Sequence, residues 1–207
     1  MTLDSTFEGI RQGLAGLEFR TSRWSLEGRI SAGVCVPLHE GARGVEVLMI
    51  KRTGTMRQHA REVAFPGGRA EPGDLDLLDT ALRETWEELG LARADLEPLG
   101  ALSPVPTATS TYLLHPFVVA VRPGARAVPH PGEVDVLIVM PVRDFFEGRV
   151  GYHAVSFGEW HSPIFDFDVG SMYGASAHIL EELLMLYART TGLQMPVPAL
   201  TDRIPWQ

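Results

Sequence analysis

The 207-residue sequence contains a single cysteine, Cys35, which excludes an intramolecular disulfide and makes the reducing cytoplasm the expected compartment. Positive charge is also scarce: 18 Lys and Arg stand against 26 Asp and Glu, a formal net charge of −8. Such a surface repels a phosphate backbone, so nucleic acid is not an expected partner. No apolar run reaches the length of a membrane span, so no membrane partner is expected. Met1 to Phe7 lack the basic and apolar regions of a signal peptide. Repeats, low-complexity tracts and long linkers are missing too, and residues 1–207 read as a single domain.

What is present is an ordinary globular balance, 45% hydrophobic and 21% charged, enough to fill a core. Leu3, Phe7, Ile10, Leu14 and Leu17 recur at helical spacing and predict an N-terminal helix within 1–20. Ile30 to Val36 alternate as a strand, His39 to Gly44 form a turn, and Val45 to Lys51 return as a second, antiparallel strand. Glu62 to Phe65 reads as a short strand before Pro66-Gly67-Gly68, and a helix is predicted over Leu75 to Leu89, stopped by Gly90. Ser103 to Thr111 reads as a loop, Leu113 to Val121 and Val134 to Val142 as strands, and 152–168 as a hairpin. Met172, Ala175, Ile179, Leu183 and Leu186 form one stripe of a last helix, within 171–190. This order implies an α/β (α+β) fold, a mixed central sheet between helical layers.

The chemistry is concentrated at 67–91. On a helical wheel Leu78, Leu82, Thr85 and Leu89 share one side, and Glu84, Glu87 and Glu88 share the other. Three carboxylates on one face repel one another, which suits either a solvated acidic surface or a hard cation. The adjacent glycine turn and an arginine four residues before Glu87 favour the cation, Mg²⁺ with Mn²⁺ as a substitute. Arg83 is placed to hold Glu87, and Gly68 lets its own carbonyl approach the metal. Lys51, Arg52, Arg57, Arg61 and Arg69 crowd a short stretch just before this region, with His59 among them. Arg52, Arg57, His59 and Arg61 are therefore candidate anion-binding, substrate-side residues.

The stretch resembles the Nudix box: Gly, five residues, Glu, seven residues, then Arg-Glu-apolar-x-Glu-Glu-x-Gly-apolar. Gly68, Arg83, Glu84, Glu87, Glu88, Gly90 and Leu91 match. Asp74 stands where the first Glu belongs, eight residues rather than seven precede Arg83, and Thr85 replaces the apolar residue. The resemblance implies a Nudix-type α/β/α sandwich and metal-dependent hydrolysis of a diphosphate in a nucleotide-derived small molecule. It implies Gly68, Glu84, Glu87 and Glu88 as metal ligands and Arg83 as part of the catalytic machinery. It also implies Glu133 as a distal carboxylate; either Glu133 or a box glutamate is the general base.

A second signature precedes the box in the coenzyme A diphosphatase-like branch, and Leu48, Arg52, Arg57 and Phe65-Pro66-Gly67-Gly68 fall at its places. Pro131 to Val134 and Met172 to Ala177 are also similar to that branch. Ile50 and Thr53 differ from the signature, and Arg61 occupies a glycine position. The implied substrate is coenzyme A or a derivative, split into adenosine 3′,5′-bisphosphate and 4′-phosphopantetheine. ADP-ribose or a dinucleoside polyphosphate is the alternative substrate, and a non-catalytic Nudix-fold binding module the alternative role. A homodimer is compatible with the sequence.

Overall fold

The computed structural model describes residues 3–18, 27–54, 62–108, 110–158 and 160–205. Helix α1 (Leu3–Ala15) precedes the central strand β1 (Ile30–Gly41). Ala32 to Leu38 of β1 are buried without interruption because both faces of the strand are covered. Val34, Val36 and Leu38 enter one core, and Cys35 enters the other. Strand β2 (Gly44–Arg52) runs antiparallel to β1, as the alternation predicts. Next come β3 (Val63–Ala64), β4 (Gly67–Arg69), helix α2 (Leu77–Leu89), β5 (Leu96–Ala101), β6 (Val105–Pro106), β7 (Tyr112–Val121) and β8 (Val134–Pro141).

The main sheet has the order β3-β2-β1-β7-β5, with β4 beside β1, β6 beside β7 and β8 beside β2. β7 is parallel to β1 and the other pairs are antiparallel, so the sheet is mixed. Helix α3 (Val142–Phe146) leads to β9 (Gly151–Phe157), β10 (Trp160–Phe167) and β11 (Gly170–Met172). Helix α4 (Gly174–Thr191) and β12 (Ala199–Leu200) follow, and the smaller sheet runs β11-β10-β9-β12. Ala81, Leu82 and Leu89 of α2 pack with Cys35, Leu48 and Ile50 on one face of the main sheet. Phe7, Ile10 and Leu14 of α1 join Ile179, Leu183 and Leu186 of α4 in the core on the other. The result is an α/β fold with helical layers flanking a mixed sheet.

Several boundaries differ from the expected ones for local reasons. Helix α2 starts at Leu77, not Leu75, because the Asp76 carboxylate caps it, accepting from Asp79 N at 2.8 Å. Helix α4 starts at Gly174, not Ser171, because Met172 is paired with Phe165 in β11–β10. The helix expected within 1–20 spans Leu3–Ala15. Strand β5 has no alternating sequence pattern, because Pro98, Gly100 and a register shift between them interrupt it. Gly67-Gly68 reads as a turn, yet β4 pairs with Val34 and Gly33 of β1. β6 lies inside the expected loop 103–111, and α3 extends a stretch read only as strand.

Candidate active site

Glycines set how closely the parts of the site approach. A Cβ on Gly33 would overlap the backbone carbonyl of Leu77, so α2 rests directly on β1 there. A Cβ on Gly67 would stand 2.6 Å from Gly33 O, which presses the glycine loop against the same strand. At Gly68 the space of a side chain is taken by the Glu84 carboxylate. Residues with any larger side chain at these points would push helix, loop and carboxylate apart.

Arg83 is the hub of the exposed half of the site. Its Nε donates to Asp74 Oδ1 at 3.0 Å and its Nη2 to Asp74 Oδ2 at 3.2 Å. Its Nη1 donates to Glu87 Oε2 at 2.8 Å and lies 3.0 Å from Glu84 Oε1. Asp74 also accepts from Thr80 Oγ1 and from Glu71 N, each at 2.8 Å. The Arg83 hydrogen bond, foremost among these partners, holds the Asp74 carboxyl down at about 2. Arg83 is correspondingly pushed further up by Asp74. The shorter Asp, set one residue further from the arginine than the box pattern has it, therefore still reaches the guanidinium.

Glu88 forms the buried half, with 1% of its side chain exposed. Arg52 Nη1 donates to Glu88 Oε1 at 2.9 Å, and Gly67 N donates to Oε2 at 3.3 Å. Burial pushes the Glu88 carboxyl up to about 7, against the pull of Arg52 and with repulsion from Glu84 and Glu133. Glu84 is raised as well, first by burial and then by Glu87 and Glu133, with Arg83 opposing. Glu133, some 45 residues downstream in the chain, thus stands in the field of both glutamates. Backbone bonds bring it there: His130 N donates to Glu88 O at 2.9 Å, Glu133 N to His130 O at 3.1 Å, and Thr53 N to Glu133 O at 2.9 Å.

Carboxylate oxygens beside a glycine that leaves room for them are the ligand type Mg²⁺ prefers, so the residues fit it. Among the described residues no three acidic, histidine or cysteine side chains converge as a finished cage. The glutamate oxygens are instead turned to Arg83 and Arg52.

The other expected residues divide. Arg57, His59 and Arg61 lie outside the described residues. Arg52 is on the site side of β2, paired with Glu88, and its buried Nε has no acceptor among the described residues. Cys35 is fully buried, and burial pushes its thiol up to about 12, so it is inert as a nucleophile. Tyr173 OH donates to Glu62 Oε1 at 3.2 Å, joining the start of α4 to the strand edge before the glycine loop. Sequence reasoning missed the partnership of Arg52 with Glu88 and the anchoring of the 130–133 turn on the end of α2. Alternation could have found the first, since Leu48, Ile50 and Arg52 share one face of β2 and the first two touch the α2 layer.

The chain is similar to known proteins of one family. A NUDIX domain family model matches residues 29–160. The chain is 32% identical over 141 residues to the uncharacterized Nudix hydrolase NudL of Photorhabdus laumondii, covering 66% of this chain and 74% of that protein. It is 34% identical over 169 residues to the human mitochondrial coenzyme A diphosphatase NUDT8, covering 78% of this chain and 71% of that protein. A MutT/nudix family protein of Enterococcus faecalis shares the fold at a TM-score of 0.53 and 14% identity, over 93% of this chain and 70% of that one.

Proposed function

The chain belongs to the Nudix family of hydrolases, and on that premise we propose that it cleaves the diphosphate of coenzyme A or a coenzyme A derivative. The observations that support the reaction are the Glu84 carboxylate filling the space beside Gly68 and the buried Glu88 accepting from Gly67 N, with the turn that carries Glu133 fastened to the backbone of Glu88. The support for the substrate is the similarity to a coenzyme A diphosphatase together with the Arg52, Arg57 and Phe65-Pro66-Gly67-Gly68 signature.

Glu84, Glu87, Glu88 and the Gly68 carbonyl are the groups that would hold Mg²⁺ or Mn²⁺. Once bound, the cation supplies Lewis acidity, neutralising phosphate oxygens and lowering the pKa of the attacking water. Water oxygen attacks one phosphorus, the bond from that phosphorus to the bridging oxygen breaks, and the water proton passes to a carboxylate. Glu133 is suited to take it, because its turn is fastened to the backbone of Glu88 and to β2. Arg83 keeps Glu84 and Glu87 oriented, and Asp74 keeps Arg83 in place. The substrate-side role of Arg57, His59 and Arg61 stands on the sequence pattern.

Incubation with coenzyme A and Mg²⁺, with products identified by mass, tests the substrate. The expected products are adenosine 3′,5′-bisphosphate and 4′-phosphopantetheine. Faster turnover of ADP-ribose than of coenzyme A would move the assignment to that class.

A further inference from the structure

We infer that Arg52 is a positioning residue for Glu88 rather than a reader of substrate phosphate; this rests on the proposed role of Glu88 as a metal ligand. Arg52 ends β2, where the pairing with β8 shifts register between Lys51 and Arg52. Its backbone is fixed on one side, Arg52 N donating to Glu62 O at 3.0 Å, and pairs with Val134 on the other. The guanidinium is directed at α2, with 17% of the side chain exposed, and meets a carboxylate that is 1% exposed. Glu88 is then gripped from two sides, by Arg52 at Oε1 and by Gly67 N at Oε2. The 2.9 Å bond from the guanidinium is the stronger of the two grips, and without it the carboxylate keeps, among the described residues, the 3.3 Å amide contact.

The grip has a chemical purpose in a site of this kind. A ligand oxygen binds a cation well only when its side chain is already confined, and partners behind a ligand confine it. Arg52 is such a partner. It separates by this role from Arg57, His59 and Arg61, which the sequence places in the same basic cluster. The competing role is direct: the Nε of Arg52, without an acceptor among the described residues, could donate to a phosphate oxygen. The two roles predict different losses.

The test is Mn²⁺ binding to the full chain without substrate, read from the free-Mn²⁺ resonance, beside kcat and KM for coenzyme A at saturating metal. Arg52→Ala is expected to weaken Mn²⁺ about 10- to 100-fold. Its KM is expected to stay within about two-fold of wild type. Arg52→Lys, which restores the charge without the planar fork, is expected to recover part of the Mn²⁺ affinity. Should Arg52→Ala fail to fold, Arg52→Lys carries the test, with the same pattern at smaller size. Unchanged or tighter Mn²⁺ binding in the variants, or a raised KM with native Mn²⁺ affinity, overturns the inference and leaves the metal site standing. A wild-type chain that binds no Mn²⁺ overturns the metal reading, and this inference with it.

Discussion

Asp74 and Arg83 face each other through two hydrogen bonds, Nε to Oδ1 at 3.0 Å and Nη2 to Oδ2 at 3.2 Å. The same guanidinium holds Glu87 and borders Glu84, so a residue outside the glutamate triad governs how two of its members are presented. Asp74→Asn removes the charge and keeps the shape. It is expected to lower kcat on the order of 10-fold, the scale for losing a group that orients ligands, and to lower the Tm. Because the folded state holds the Asp74 carboxyl at about 2, below its ordinary value of 3.8, the fold favours the ionised form. Its contribution to stability is complete above about pH 4 and is lost as pH falls towards 2. The Tm difference between wild type and Asp74→Asn should therefore be full at pH 7 and shrink below about pH 4. A difference that stays constant over that range contradicts the pairing.

Gly68 and Gly33 are both close-approach positions, and they should fail differently. Alanine at Gly68 meets a side chain, the Glu84 carboxylate, which can swing away. Alanine at Gly33 meets the backbone of Leu77, which cannot. Gly68→Ala is expected to lose activity with a Tm near wild type, and Gly33→Ala to lower the Tm through displacement of α2. Thermal melts beside turnover assays separate the two. An active Gly68→Ala enzyme would place Glu84 outside the reaction.

Glu133→Ala tests the distal carboxylate. If Glu133 takes the proton of the attacking water, kcat should fall by about 10²- to 10⁴-fold while KM for coenzyme A changes little. Native kcat returns Glu133 to an ordinary turn residue and leaves the base among the box glutamates.

Most of what positions this site follows from local pattern. The glutamate face of α2, the glycine pair and the β1–β2 hairpin are each written in a few adjacent residues. The helix start slipped by two residues because Asp76 and Leu75 differ in a cap bond that the apolar period does not encode. The pairing of Arg52 with Glu88 joins residues 36 positions apart and depends on β2 lying across α2, a tertiary fact. The approach of Glu133 depends on backbone bonds from His130 to Glu88, which no side-chain pattern announces. β5 was hidden because Pro98 and Gly100 interrupt the strand pattern where the ladder itself shifts.

Coenzyme A carries a 3′-phosphate that most nucleotide diphosphates lack, and the basic cluster before the box is the place to look for its partner. Arg57→Ala is expected to lower kcat/KM for coenzyme A by about 10- to 150-fold, the effect of losing one charge-assisted contact of about 1.5–3 kcal/mol. Dephospho-coenzyme A, with the same scissile diphosphate, should be affected far less. Equal losses on both substrates would assign Arg57 to the shared diphosphate or to the fold.

The most direct measurement is turnover of coenzyme A by wild type and Glu88→Gln, each assayed with EDTA and then with excess Mg²⁺. The wild-type chain is expected to be silent in EDTA and to recover fully with Mg²⁺. Glu88→Gln should stay folded and lose on the order of 10²-fold in kcat, as when a single electrostatic group of an active site is removed. Full wild-type turnover in EDTA, or a native rate in Glu88→Gln, would contradict a diphosphate hydrolase built on the box glutamates.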